Sequence, residues 1–186
     1  KGLGYHSDLS LLFNKPLSKI DDSKLKLELR EEEAPLSVTQ NSVREVIISS
    51  GWVPGKKYVL TVYPDAFTNM LSESTDTIKV SFKYKEEKDY GKLFLNMEVE
   101  GGDYILQLLK EGKMVSQKTF EGNSFKHNYN QLAPGKYQLK LIYDENVNGK
   151  WDTGAYLKHL QPETVVYYDG EISIRQGWDI DITWKL

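Results

Sequence analysis

The chain has 186 residues, 39% hydrophobic and 12% aromatic, which is enough apolar material for two modest cores and too much for a disordered chain. Formal net charge is −3, and residues 87–186 supply the whole deficit with 12 basic against 15 acidic side chains, residues 1–86 balancing at 12 each. No basic stripe emerges, which excludes a nucleic-acid footprint, and an acidic surface disfavours docking to anionic lipid.

Period-two alternation recurs along the chain. Leu25, Leu27 and Leu29 alternate with Lys26, Glu28 and Arg30. Ile78, Val80, Phe82 and Tyr84 follow, then Leu93, Leu95, Met97 and Val99. Tyr137, Leu139, Leu141 and Tyr143 form the next run, and Trp178, Ile180, Ile182 and Trp184 the last. Each run predicts a strand with one buried and one wet face. No stretch keeps a helical period for three turns. Turn signals separate the strands at Val53-Pro-Gly-Lys56, Gly101-Gly102, Glu111-Gly112, Ala133-Pro-Gly-Lys136 and Asp169-Gly170. The expected fold class is therefore all-β, two antiparallel sandwiches.

The charged run Lys83–Gly91 predicts a connector between domains at 1–86 and 87–186; a single domain is the alternative. One internal echo spans the two halves. Trp52-Val-Pro-Gly-Lys-Lys-Tyr58 resembles Leu132-Ala-Pro-Gly-Lys-Tyr137, an apolar residue and a Pro-Gly turn leading into a strand that opens on Tyr.

The segments Leu11–Leu17, Ile20–Ser23, Trp52–Leu60 and Pro64–Thr68 resemble those of bacterial Ig-like domains in surface-layer and adhesin-type proteins. In that family a further strand precedes the Leu9–Phe13 segment, and Lys1-Gly-Leu-Gly leaves little room for it. The second part, residues 87–186, is similar to prealbumin-like sandwich modules, on the pattern Leu132-x-Pro-Gly-x-Tyr-x-Leu139, Asp144–Gly154 and Gln161-Pro-Glu163. The whole chain resembles the C-terminal region of Ig-like surface lipoproteins of Gram-negative gut bacteria. That resemblance implies an extracellular or periplasmic protein, anchored at the outer membrane through residues outside this sequence. No run of 18 apolar residues is present, so no direct membrane insertion is expected of this chain. The implied role is a non-catalytic structural or adhesion module whose partner is a surface protein or a glycan.

One constellation has ion chemistry. Asp144, Asn146 and Asn148 occupy positions one, three and five of a calcium-type loop, Gly149 the sharp turn, Lys150 the backbone-carbonyl position and Asp152 position nine. Calcium takes six to eight oxygen ligands at flexible geometry, which such a loop provides. Position twelve, where a bidentate Glu belongs, is Ala155, so an outside ligand is needed, and Glu145, Glu163 and Asp169 are the candidates. The same Asn and Asp letters also build a metal-free turn.

Other chemistry is weaker. The absence of cysteine excludes thiolate metal sites and a cysteine nucleophile. His6, His127 and His159 have no ligand spacing, and Asp152-Thr-Gly154 has no second triplet with which to form an aspartic-protease dyad. No nucleophile elbow, P-loop or dinucleotide fingerprint occurs, so the chain is not expected to be an enzyme. Trp151, within a polar loop, and Tyr167-Tyr168, on both faces of one strand, are the candidates for an exposed stacking surface. Trp178 and Trp184 are assigned to core packing.

Overall fold

A strand with one apolar face needs a second apolar sheet to bury it. The computed structural model, which describes residues 2–154, 157 and 159–186, meets that need twice: the chain divides into two compact units, Lys1–Glu87 and Lys88–Leu186.

The first unit contains β1 (Gly2–Leu3), β2 (Leu9–Leu12), β3 (Leu17–Ile20), β4 (Leu25–Leu29), β5 (Glu32–Ala34), β6 (Ser37–Ser42), β7 (Glu45–Ser49), β8 (Lys57–Val62), β9 (Phe67–Asn69) and β10 (Ile78–Tyr84). One sheet has the order β1-β10-β8-β4-β5, a second β2-β7-β6, and β3 pairs with β9. Leu27, Leu60 and Phe82 from the first sheet meet Val46 and Ile48 from the second in a single apolar cluster. This is an immunoglobulin-like sandwich, with the short β1 lying parallel to β10.

The Pro-Gly turn before β8 has a mechanical purpose. Gly55 takes φ +76°, and the turn brings the Val53 N–H to within 2.8 Å of the Tyr58 hydroxyl, which accepts it. This is a tyrosine corner. Trp52 packs edge-on against the same ring at 5.1 Å. Tyr58→Phe keeps the ring and removes the acceptor, so stability is expected to fall by about 1–3 kcal/mol. The check is a lower urea midpoint at an unchanged m-value. An unmoved midpoint would mean that water replaces the hydroxyl.

The second unit contains β11 (Gly91–Lys110), β12 (Lys113–Leu132), β13 (Gly135–Tyr143), β14 (Val165–Tyr167), β15 (Ile172–Ile174) and β16 (Asp179–Lys185). All six strands join in one hydrogen-bonded sheet, with β11 at its centre. Its first half pairs in parallel with β16, its second half antiparallel with β13, and β12 follows it throughout. Leu93, Leu95, Leu106, Leu108, Leu139, Leu141, Ile172 and Trp184 fill the core between the two halves. The echoed segment of the second unit also ties its Tyr to the residue before the Pro, with the bond reversed: the Tyr137 hydroxyl donates to the Ala133 carbonyl at 2.6 Å.

Two expectations require correction. Gly101-Gly102 does not separate strands; it lies inside β11, where the register with β12 shifts between Glu98 and Gly102 and Gly102 stands opposite Gly122. Paired residues without Cβ let a long hairpin bend instead of ending. Trp178 precedes β16 and is 54% exposed, with the Arg175 guanidinium 4.8 Å from its ring, while Trp184 is in the core. β12 has a free edge. Lys118, opposite buried Leu106 and so on the core-side face, places a charge at that edge, which opposes pairing with another chain.

Candidate functional site

The segment after β13 returns across the outer face of the second unit's sheet. On that face two rows of side chains run across the strands. One row is Thr119, Ile105, Ile142 and Val165; the next is Gln117, Gln107, Lys140 and Tyr167. Ile105 and Ile142 are fully buried although they point away from the main core. The returning loop accounts for this. It is tied by Asp144 N–H to the Asp103 carbonyl at 3.0 Å and by the Gln117 side-chain amide to the Gly149 carbonyl at 3.2 Å. Its third tie is the Lys140 ammonium, 5.3 Å from the centre of the Trp151 ring. These ties bracket the two isoleucines.

Within the loop, each expected ligand holds a turn. Asp144 is buried, and its two carboxylate oxygens accept the N–H groups of Asn148 at 3.0 Å and Gly149 at 2.8 Å. Asn146 Oδ1 accepts Asn148 N–H at 3.2 Å, and Asn148 Oδ1 accepts Lys150 N–H at 2.7 Å. These successive Asx turns need left-handed residues, found at Val147 (φ 57°) and Gly149 (φ 73°). The side-chain amides of Asn146 and Asn148 both donate to Asp152 Oδ2, the second at 2.7 Å. Asp144, Asn146, Asn148 and Asp152 are thus joined in one network, to which Lys150 contributes its backbone.

Of the three outside carboxyls, Glu145 and Glu163 line the same cavity, and Glu163 is the one hydrogen-bonded to Asp152. Its Oε2 accepts the Asp152 N–H at 2.9 Å, its own N–H donates to the Asp152 carbonyl at 3.0 Å, and its carbonyl accepts the Trp151 indole N–H at 3.1 Å. Glu145 and Asp169 are exposed. Ala155 lies outside the described residues. Gly154, at φ +76°, passes so close to Leu160–Pro162 that a Cβ would stand 2.6 Å from the Leu160 carbonyl oxygen.

Two cavities flank the loop. One, of about 370 Å³, is lined by Asp103, Thr119, Asp144 and Gly149 among others; the second, of about 460 Å³, by Asn146, Asp152 and Glu163. Tyr104 lines the first, and burial, with Tyr143 and Glu100 nearby, pushes its hydroxyl pKa up. Among the described residues no three His, Asp or Glu side chains gather closely enough to hold a metal by themselves. The loop's donors are carboxylates mixed with amides, chemistry suited to a hard cation.

The aromatic candidates separate. Tyr168 turns inward and meets Trp184 edge-on at 5.5 Å. Tyr167 is 45% exposed and Trp151 44% exposed, and Lys140 links them, facing Tyr167 in the strand register and lying over Trp151. Lys140 and the outer isoleucine row were missed by the sequence reading. The available signal was the consecutive apolar pairs Ile105-Leu106 and Leu141-Ile142, which mark strands buried on both faces.

No known protein family matches the chain, and no curated protein does. Among solved structures the chain is similar to the gamma-CGTase from alkalophilic Bacillus clarkii, at 9% identity and a TM-score of 0.31 over 87% of this chain and 23% of that one. It is also similar to the fibronectin(III)-like modules of Clostridium thermocellum CbhA, at 8% identity and a TM-score of 0.23 over 95% of this chain and 90% of that one. The chain therefore spans less than a quarter of the CGTase. Both likenesses are too distant to bear on function, and the sandwich fold rests on the strand pairing.

Proposed function

We propose that the chain is a non-catalytic module of an extracellular or periplasmic surface protein, an Ig-like sandwich followed by a prealbumin-like one, that spaces or presents a larger assembly. It is held at the outer membrane through residues outside this sequence. The observation that supports this reading is a Tyr hydroxyl bonded, in each unit, to the backbone of the residue before a Pro-Gly-Lys turn. The same Pro-Gly-Lys segment pins the entry of β8 through Tyr58 and of β13 through Tyr137, so the chain is a tandem of two sandwiches braced at the same point. Antibody labelling of the full-length protein on intact cells tests the location. Labelling without permeabilisation, or after opening the outer membrane alone, is expected; labelling only after release of cytosolic contents would overturn the proposal.

A second reading, a module binding a glycan or a surface protein, is favoured by the exposed Trp151–Lys140–Tyr167 patch. Amphipathic rings beside a cation are a stacking surface. As a pure spacer, the protein is expected to give no saturable signal on glycan arrays. As a binder it gives one that falls at least about tenfold in both Trp151→Ala and Tyr167→Ala, as ring truncation at a binding hot spot does.

A further inference from the structure

We infer that the Asp144–Asp152 loop takes up a calcium ion and that Glu163, from the segment leading into β14, supplies the carboxylate that position twelve of the loop lacks. The site goes beyond the spacer role, which stands or falls separately.

Loop geometry alone does not decide this, because Asx turns form without metal. Glu163 decides it. The residue is only 8% exposed, and while Oε2 accepts the Asp152 N–H, Oε1 is buried without a hydrogen-bond partner among the described residues. A buried carboxylate oxygen left without a partner is costly, and such atoms in native proteins call for an ion or a water. Glu163 lines the same cavity as Asn146 and Asp152.

The neighbouring groups fit a cation. Asn146 and Asn148 turn their amide nitrogens on one oxygen of Asp152, so three side-chain ends converge on one point. The amide oxygens of Asn146 and Asn148 each accept one backbone N–H within the loop and keep a second lone pair. Asp144 lines the other cavity and holds the turn from that side, each carboxylate oxygen accepting one backbone N–H and retaining a lone pair. Six to eight oxygens at flexible geometry, with no thiolate and no imidazole, select calcium over zinc; magnesium demands a stricter octahedron. Extracellular modules of this type hold calcium at roughly 0.1–1 mM.

The ion would act as a clasp. It would join the two ends of the 144–163 excursion, so that the loop stays closed over Ile105 and Ile142. Calcium would thereby stabilise a second, smaller core on the outside of the sheet, linking its occupancy to the melting temperature.

Calorimetric titration with calcium chloride, together with thermal melts in calcium and in chelator, tests the assignment on four proteins: wild type, Asp144→Ala, Glu163→Gln and Asp169→Asn. The Gln variant keeps the size of the Glu163 side chain, and circular dichroism confirms that each variant is folded. Saturable wild-type binding is expected, abolished in Asp144→Ala, weakened at least about tenfold in Glu163→Gln and unchanged in Asp169→Asn. The melting temperature is expected to fall in chelator for wild type and much less for Glu163→Gln. Wild-type binding that Glu163→Gln leaves intact would overturn the role of Glu163, and no saturable binding at millimolar calcium would overturn the site.

Discussion

Ile105→Ala and Leu106→Ala, adjacent residues on opposite faces of β11, are both expected to destabilise the second unit by about 2–5 kcal/mol. Leu106 is fully buried in the main core, opposite Leu141 on β13. Truncating it removes transfer free energy and leaves a cavity that a close-packed interior refills only in part. Ile105 would be spared if the sheet had one wet face, since surface truncations fall within about 0.5 kcal/mol. It is fully buried instead, beside Ile142, beneath the returning loop. Against a typical domain stability of about 5–15 kcal/mol, either loss is a large fraction. Urea titration reads both as lower midpoints with the slope preserved. A small effect for Ile105→Ala alone would show that the loop covers this face only loosely.

The alternations at Leu25–Leu29, Ile78–Tyr84, Leu93–Val99 and Tyr137–Tyr143 all lie in strands, because a period of two ties sequence directly to one face of a pleated ribbon. The same rule misleads where a second layer arrives. Ile142 sits on the face that alternation marks as wet, yet it is fully buried. Trp178 fails for a related reason. It keeps the spacing of the last strand but lies one residue before β16 begins, where no pleat fixes its direction. Pairing of β11 with β16 in parallel, across most of the second unit's length, depends on sheet closure and has no local signal.

The loop was readable because Asp, Asn and Gly at alternate positions impose their turns locally: the Asn146 and Asn148 side chains bond the backbone two residues on, and Gly149, without a Cβ, takes the positive φ the turn needs. Which outside carboxyl meets the loop was not readable. Glu145, Glu163 and Asp169 are equivalent as letters, and only the close passage of Gly154 by Leu160–Pro162 brings Glu163 back to Asp152.

Gly91→Ala is expected to be as damaging as a core truncation, for the opposite reason. Gly91 opens β11 where the chain of residues 174–178 crosses it. A Cβ there would stand 2.5 Å from the Arg175 carbonyl oxygen, 2.7 Å from Ile174 Cγ2 and 2.9 Å from the Trp178 carbonyl oxygen. Two of these three atoms are backbone, so a rotamer change cannot relieve the clash. The Trp178 carbonyl accepts the Lys92 N–H at 2.8 Å, and the Gly177 N–H donates to the Tyr90 carbonyl at 2.9 Å; together these begin the parallel register of β11 with β16. A methyl group at residue 91 must push the two segments apart at that first rung. Overpacking of this kind costs about 1–3 kcal/mol, and more where backbone must move. Amide exchange should therefore accelerate along β16, from Ile180 to Trp184, while the β8 amides of the first unit keep their protection. Equal acceleration in both units would mean that the cost is global, and unchanged exchange in β16 would mean that the junction yields without strain.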